Sequence, residues 1–134
     1  MATDKKTVEK LLTAAKNARE NAYAPYSNFK VGAALLAESG EIFAGANFEN
    51  VSFGAGSCAE RVALGSAVAA GERKFSAIAV CGGEDIPAAP CGICRQALSE
   101  FGDMEVFCIN GRGENMKKFM LSQLLPEAFS SITD

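Results

Sequence analysis

The sequence predicts an α/β protein in which helices cover one mixed sheet. Three observations support this fold class: an amphipathic helical pattern at the start of the chain, apolar runs of strand length, and helical segments that alternate with those runs. The predicted order of elements is helix, hairpin, helix, strand, helix, strand. A sheet that alternates with helices in this way buries its apolar faces against them, which gives a layered domain.

The first half of the chain is predicted to form a helix, a hairpin and a loop. Apolar and small side chains recur at helical spacing up to Ala22, and Pro25 lies in the segment that breaks the helix. Ser39-Gly40 separates the apolar runs 30–37 and 41–46, a pattern typical of a β-hairpin. Residues 47–56 are polar, aromatic and glycine-containing, so we expect a loop there.

The second half of the chain alternates helices with apolar strands. Helices are predicted over residues 57–70, 91–101 and 121–125, strands over residues 75–81 and 105–109, and a turn over residues 111–114. Gly71 and Gly102 end the first two of these helices, and Pro126 interrupts the last. No repeat, linker or low-complexity segment divides the sequence, so a single domain is expected over residues 1–134.

Composition and charge favour a small-molecule partner. The chain has 134 residues and a net charge of −3, and its pI is near 5.1. Lysines and arginines are scattered along it, whereas a surface that binds nucleic acid usually clusters them, so no nucleic-acid partner is expected. No apolar run reaches membrane length and the first residues carry no apolar signal segment, so no membrane partner is expected either.

The cysteines predict a reducing, cytoplasmic setting and a metal site. Five is an odd number, so they cannot all pair in internal disulfides. Cys58, Cys91 and Cys94 offer three thiolates in a chain that has no histidine. Three protein ligands leave one tetrahedral position on Zn²⁺ open, which distinguishes a catalytic zinc from a structural one. Glu60 follows Cys58 by two residues, close enough to contact a water molecule on the metal.

Both cysteine segments are predicted to open helices. Ser57 and Pro90 are residues suited to a helix start, and a helix N-terminus carries a partial positive charge that favours thiolates. Three thiolates on one Zn²⁺ still give a negative cluster, which works against ionising a water. We therefore expect Arg61 and Gln96 to donate hydrogen bonds to the sulfurs and to withdraw charge from them.

Other interpretations of the same residues stay open at this point. Glu60 can close a capping box with Ser57 and have no chemical role. The Cys91-x-x-Cys94 pair can be a redox pair. Cys81 and Cys108 lie in apolar runs, where buried, inert thiols are usual, although either could complete a closed four-cysteine structural site.

Longer motifs extend the pattern over nearly the whole chain. They are Cys58-Ala-Glu60-Arg61, Pro90-Cys91-Gly-Ile-Cys94-Arg-Gln96, Tyr26-Ser-Asn-Phe29-Lys-Val-Gly-Ala-Ala-Leu35, Asn47-Phe-Glu49-Asn50 and Leu124-Leu-Pro-Glu-Ala-Phe129. In this order and spacing the sequence resembles the small, homotetrameric, zinc-dependent cytidine deaminases with a three-cysteine metal site. The resemblance implies a three-layer α/β fold with a mixed sheet covered by helices.

The resemblance also implies an activity and a set of roles. The expected reaction is hydrolytic deamination of cytidine and 2′-deoxycytidine to uridine and 2′-deoxyuridine with release of ammonia, in pyrimidine salvage. One Zn²⁺ per subunit, held by the three cysteines named above, activates a water molecule, and Glu60 shuttles the protons. Asn47, Glu49, Phe29, Ala59 and Phe129 are the implied nucleoside contacts. The sites of such homotetramers lie at subunit boundaries.

Three departures from the family pattern bear on substrate range. Phe53 stands where many members have tyrosine, Ala89 stands where serine is common, and Gly54-Ala-Gly56 makes a flexible approach to the metal segment. These changes favour a shift in nucleoside preference over a change in reaction class. Two other functions remain: a deaminase of another aminopyrimidine, free or within nucleic acid, and a zinc-stabilised binding domain without catalysis.

Overall fold

The computed structural model describes residues 2–132. Within this range the α-helices are α1 (Lys5–Arg19), α2 (Ala59–Ala69), α3 (Gly92–Ser99) and α4 (Leu121–Leu124). The strands are β1 (Gly32–Ala37), β2 (Ile42–Ala46), β3 (Phe75–Cys81), β4 (Glu105–Ile109) and β5 (Lys117–Met120). A 3-10 turn at Phe53–Ala55 precedes α2.

The strands form one mixed sheet in the order β2-β1-β3-β4-β5. The hairpin β1–β2 is antiparallel, with Ala34 opposite Ala44, and β1 is also antiparallel to β3. The pair β3–β4 is parallel, with Val80 opposite Cys108, whereas β5 is antiparallel to β4. The carboxyl ends of β3 and β4 therefore meet at the same edge of the sheet, where α/β proteins usually place their ligands.

Helices cover both faces of this sheet. One face packs on α1 through a cluster that includes Leu11 and Ala15. The opposite face packs on α2, α3 and α4 through a cluster that includes Ala63, Leu98 and Leu121. All residues of β1 and β4 are buried, as is typical of strands that lie between two helix layers. The three-layer α/β fold predicted from the sequence is confirmed.

Close backbone contact holds α2 against the sheet. Gly45 of β2 faces the first turns of this helix, and a Cβ at this position would lie 2.6 Å from the carbonyl oxygen of Ala59 and 2.5 Å from the amide nitrogen of Ala63. No side chain fits in that space, so the contact requires glycine. The N-terminus of α2, which carries Cys58 and Glu60, is thereby fixed relative to β2.

Several predicted boundaries differ from the observed ones. The first helix ends at Arg19 instead of continuing to Ala22, and β1 begins at Gly32, two residues later than predicted. Strand β5 was not predicted, because its two exposed lysines and two half-buried residues lack the alternation of an interior strand. No helix among residues 2–132 is both long and apolar enough to span a bilayer.

Candidate functional site

The three cysteines of the predicted metal site meet where α2 and α3 begin. Cys58 is the N-cap of α2 and Cys91 is the N-cap of α3, each with an extended backbone (φ −71°, ψ 153° and φ −68°, ψ 168°). Neither side chain makes a hydrogen bond that caps its helix, so both sulfurs are available to a metal. Cys94, in the first turn of α3, is fully buried. Both helices thus begin one or two residues later than predicted, with the cysteine itself as the cap.

The spacing of the sulfurs fits a zinc ion. The three Sγ atoms lie within 4.8 Å of one another, and those of Cys58 and Cys91 are 3.7 Å apart. Two thiolates bound to one Zn²⁺ at about 2.3 Å in tetrahedral geometry stand about 3.8 Å apart. Three soft donors at this spacing suit one zinc and leave a fourth position for water or a substrate.

Burial opposes ionisation of two of these thiols. It raises the pKa of Cys94, and the charge of Glu60 raises it further. Burial also raises the pKa of Cys58, although a hydrogen bond from Arg61 opposes the effect. Burial acts in the same direction on Cys91, but hydrogen bonds from the amide and thiol of Cys94 outweigh it and lower the pKa of Cys91. The positive ends of the two helices are therefore outweighed by burial at Cys58 and Cys94, and a bound cation would favour the thiolate form of all three cysteines.

Arg61 brings positive charge to the sulfurs. Its Nη2 donates to Cys58 Sγ at 3.8 Å. The Cys94 side chain, followed by that of Cys58, raises the pKa of the guanidinium. Its Nε is buried and has no hydrogen-bond partner among the described residues. The arrangement has the geometry expected of a group that withdraws charge from metal-bound thiolates.

Glu60 is a buried carboxylate beside the sulfur cluster. It lies in the first turn of α2 with 4% of its surface exposed. Burial raises its pKa, while its own backbone amide and the charge of Arg61 act in the opposite direction. It lines a cavity of about 140 Å³ together with Cys58 and Cys91. A carboxylate in this position can accept a proton from a group in the cavity and return it.

Two alternatives from the sequence are wrong. The capping box of Ser57 and Glu60 does not form, because Ser57 Oγ donates to the carbonyl of Cys58 at 3.2 Å and α2 begins only at Ala59. The four-cysteine site does not form either. Cys81 Sγ donates to the carbonyl of Asn110 at 3.3 Å, and Cys108 packs in the core. Neither belongs to the sulfur cluster found among residues 2–132.

The remaining walls of the small cavity are largely apolar. They comprise Phe29, Val31, Asn47, Ala59, Val80, Ala88 and Ala89. A larger and more open cavity of about 470 Å³ lies beside it, lined in part by Tyr26, Glu49, Phe53 and Arg61. Cys58 and Asn47 border both cavities, so the Cys58 end of the sulfur cluster lies where the two cavities meet.

Asn47 and Glu49 hold the segment that carries Phe29. Asn47 Nδ2 donates to the carbonyl of Phe29 and its Oδ1 accepts from the amide of Val31, both at 2.8 Å. Glu49 Oε1 accepts from the amides of Tyr26 (2.9 Å) and Ser27 (3.1 Å), and Oε2 accepts from the Ser27 hydroxyl. These bonds lower the pKa of Glu49, with the Ser27 hydroxyl as the largest cause. The loop motif thus has a structural task that the sequence did not reveal.

The structure directs Gln96 away from the metal cluster. Its Nε2 donates to the carbonyl of Phe129 at 2.8 Å, and no hydrogen bond from Gln96 to a cysteine sulfur is present in the described part of the chain. The expected contact with the thiolates is therefore corrected to a contact with the C-terminal segment. Phe129 is 66% exposed and lines neither of the two cavities.

Sequence reasoning missed two residues that support the site. Arg95 donates to the carbonyls of Pro90 (2.7 Å) and Leu124 (2.8 Å). These bonds link the residue that precedes Cys91 to α4. Asn110 is fully buried at the end of β4 and donates to the carbonyl of Asp85 at 3.1 Å. A polar residue that lies between an apolar strand and a glycine turn, as Asn110 does, was the available signal.

Comparisons with known proteins agree with this site. The model of the family described as the cytidine and deoxycytidylate deaminase zinc-binding region matches residues 5–110. The chain is 49% identical to a cytidine deaminase of Sporosarcina psychrophila over 125 residues, which cover 92% of this chain and 91% of that one. It is 46% identical to a cytidine deaminase of Halalkalibacterium halodurans over 123 residues, covering 90% and 92% of the two chains.

Solved structures show the same architecture. A cytidine deaminase from Burkholderia pseudomallei superimposes with a TM-score of 0.85 at 53% identity, covering 90% of this chain and 98% of that chain. The cytidine deaminase from Mycobacterium tuberculosis gives a TM-score of 0.78 at 32% identity, with 92% and 98% covered. Fold and site together define a hydrolytic zinc enzyme, and the cluster of three cysteines is consistent with one zinc ion. The chain belongs to the cytidine deaminase family.

Proposed function

We propose that this protein deaminates cytidine and 2′-deoxycytidine to uridine and 2′-deoxyuridine, with water as the other reactant and ammonia as the other product. The observation that carries the proposal is the small apolar cavity in which Glu60 borders the thiol cluster and Phe29 forms another wall. A flat base that lies between the aromatic ring of Phe29 and the small side chains would present its reacting carbon to Glu60 and to the thiol cluster. The relatives named above support the choice of base.

Cys58, Cys91 and Cys94 would hold one Zn²⁺ per subunit. When bound there, the ion supplies Lewis acidity that lowers the pKa of a water molecule toward neutrality. Arg61 would offset the negative charge of the three thiolates, and its support is the hydrogen bond from Nη2 to Cys58 Sγ. Without the guanidinium of Arg61 the thiolates would donate more charge to the metal and weaken its Lewis acidity.

Glu60 would carry the protons of the reaction. Its carboxylate accepts a proton from the attacking water and delivers it to N3 of the cytosine ring. Protonation of N3 makes C4 electrophilic, and the water oxygen adds to C4. Glu60 then passes the second proton of that water to the amino group, the C4–N bond breaks, and ammonia leaves. The C4–O bond becomes the carbonyl of uridine, so atoms and charge balance.

Asn47 and Glu49 would orient the sugar. Their side chains already fix the backbone of residues 26–31, yet an amide and a carboxylate retain unused donor and acceptor positions for a ribose hydroxyl. Phe29 would stack on the base, and Ala59, at the start of α2, would contact it through the backbone. The open cavity beside the metal segment provides room for a sugar without a phosphate.

The proposal includes a homotetramer whose sites lie at subunit boundaries. Exposed aromatic side chains around the open cavity, at Tyr26, Phe48 and Phe53, present an apolar surface that a neighbouring subunit would cover. Phe129, held through its carbonyl by Gln96, would reach the base in a neighbouring site. Five free thiols suit a reducing cytoplasm, and the reaction suits pyrimidine salvage. We propose further that residues 1–134 act as one catalytic domain.

The test is cytidine turnover by the zinc-loaded protein, followed by ultraviolet absorbance and by chromatographic identification of uridine. Glu60→Ala is assayed alongside, and 2′-deoxycytidine is compared with cytidine. Uridine from the wild type and none from the variant supports both the reaction and the role of Glu60. A zinc-replete, folded wild type that leaves both nucleosides unchanged contradicts the proposal, and sedimentation velocity tests the tetramer separately.

A further inference from the structure

One wall of the small cavity comes from a segment without regular secondary structure. Residues 82–90 connect the end of β3 to Cys91, and Ala88 and Ala89 of this segment line the cavity together with Glu60. A wall of this kind keeps its shape only if other groups hold its backbone. Within the segment, the amide of Ala88 donates to the carbonyl of Gly82 at 3.1 Å.

The segment is tied to the last residue of β4 and to the turn that follows it. The amide of Gly111 donates to the carbonyl of Gly83 at 2.7 Å, and the amide of Gly82 donates to the carbonyl of Ile109 at 3.0 Å. The turn approaches so closely that a Cβ on Gly111 would lie 3.0 Å from the Gly83 oxygen and 2.8 Å from Cζ of Arg19. The position of the cavity wall therefore depends on the position of this turn.

Asn110 joins the turn to the segment from the interior. Its side chain is fully buried, and Oδ1 accepts from the amides of Arg112 and Glu114, both at 3.0 Å. Its Nδ2 donates to the carbonyl of Asp85 at 3.1 Å. One buried amide thus shapes the turn with its oxygen and holds the cavity segment with its nitrogen. An apolar replacement would leave these backbone groups unpaired.

Two exposed side chains reach the same point of the segment. Asn115 Nδ2 donates to the carbonyl of Asp85 at 3.0 Å, and Arg112 Nη2 contacts Asp85 Oδ1 at 3.2 Å. Water competes for both exposed contacts, so each contributes less than the buried bond from Asn110. Asn115 therefore provides a matched control: the same residue type donates to the same carbonyl from the surface.

We propose that Asn110 is a positioning residue for base binding, a role that rests on the proposed function of the cavity. It fixes residues 82–90 so that Ala88 and Ala89 form one wall of the cavity. Phe29 forms another wall of the same cavity. These alanines contact the base without exchanging protons, so they contribute equally to binding the substrate and the transition state. Loss of such an interaction raises KM and leaves kcat nearly unchanged.

The test compares Asn110→Asp with Asn115→Asp in the zinc-loaded protein at pH 8. Aspartate keeps both acceptor bonds of Asn110. It replaces the donation to Asp85 by a buried carboxylate oxygen that repels the same carbonyl, so the segment loses this tie. For Asn110→Asp we expect the KM for cytidine to rise about tenfold, with kcat within about threefold and the zinc content unchanged. Asn115→Asp should keep the KM within about twofold. A folded Asn110→Asp protein with wild-type KM, or with a loss confined to kcat, would overturn the proposal.

Two further measurements keep the proposal testable. If Asn110→Asp does not fold, Gly111→Ala moves the same turn through its Cβ; a raised KM supports the role, and a folded variant with wild-type KM refutes it. Hydrogen exchange at the amide of Ala88 needs no substrate, so it separates this proposal from the proposed reaction. Faster exchange in Asn110→Asp than in Asn115→Asp supports positioning, and equal exchange contradicts it even if the wild type leaves cytidine unchanged.

Discussion

Two glutamates of this protein expose almost equally small fractions of their surface, yet they lie in opposite electrostatic surroundings. Glu60, in the first turn of α2, is 4% exposed, and Glu105, at the start of β4, is 5% exposed. Glu105 accepts from the amide (2.7 Å) and hydroxyl (2.6 Å) of Thr3, and Lys118 Nζ lies 2.7 Å from it. Glu60 makes no ion pair within residues 2–132.

The pKa values of the two carboxyl groups move in opposite directions. Burial raises the pKa of both, but at Glu105 the hydrogen bonds from Lys118 and Thr3 outweigh burial and lower the pKa to about 2. At Glu60 burial dominates, because the neighbouring Arg61 is directed at the sulfurs. A carboxylate whose oxygens are paired with donors, such as Glu105, stabilises the fold. A carboxylate whose acceptor positions are left free by the other side chains of residues 2–132 and that faces a cavity, such as Glu60, is suited to transferring protons.

The largest expected effect follows from Glu60→Gln. The amide keeps the size of the side chain but cannot carry a proton, so kcat should fall about 10²–10⁴-fold. Zinc content should stay close to that of the wild type, and Tm should not fall, because burial raises the pKa of Glu60 and its ionised form therefore does not stabilise the fold. Steady-state kinetics, metal analysis and thermal unfolding measure the three quantities. Retention of more than a tenth of wild-type kcat would contradict the role of Glu60.

A second variant tests whether Arg61 serves the thiolates as Lys118 serves Glu105. Arg61→Ala should weaken zinc binding about 10–100-fold, because the sulfurs lose their hydrogen-bonded cation. Competition with a chromogenic chelator measures the affinity. Arg61→Lys restores the charge without the planar fork, so it should recover part of the loss. Equal zinc affinity in all three proteins would show that the guanidinium does not act on the metal.

The third prediction concerns Glu105 and pH. Its folded pKa of about 2 lies below the ordinary value of 4.5, so the folded state binds fewer protons and the carboxylate stabilises the fold above about pH 4.5. This contribution is lost as the pH falls from 4.5 through 2. Glu105→Gln should therefore lower the free energy of unfolding at pH 7, and the difference from the wild type should shrink over that range.

Denaturant titrations of both proteins from pH 7 to pH 2 measure this difference. Any metal bound by the thiols is released from both proteins as the pH falls, so its effect cancels when the two free energies are subtracted. Glu60→Gln serves as the control, because its stability relative to the wild type is not expected to follow the same curve. If the difference in free energy of unfolding stays constant down to pH 2, the ionised form of Glu105 does not stabilise the fold.

The smallest expected effect follows from Thr3→Val. Valine keeps the shape and the backbone amide of Thr3 but loses the hydroxyl that donates to Glu105. One hydrogen bond to a charged group is lost while Lys118 remains, so the cost should be about 1.5 kcal/mol. Thermal unfolding at pH 7 measures it, and kcat should not change. A larger loss than that of Glu105→Gln would mean that Thr3 acts through contacts other than this carboxylate.

Local sequence patterns predicted the features that depend on nearby residues. The strands at residues 75–81 and 105–109 and the cysteine motifs are of this kind, and the structure brings the three sulfurs together. The role of Glu105 was not predictable, because its partner Thr3 lies 102 residues away in the chain. Gln96 was assigned to the sulfurs because of its place after Cys94, whereas the course of the C-terminal segment gives it the carbonyl of Phe129.

The placement of Cys58 and Cys91 as helix caps has a consequence for the order of folding. In the chain, α2 precedes β3 and α3 follows it, and β3 must lie between β1 and β4 before the two helix ends face each other. A complete set of three sulfurs therefore exists only after the centre of the sheet has assembled. We therefore expect tight metal binding to follow assembly of the sheet, so that the kinetics of metal uptake report when β3 has taken its place between β1 and β4.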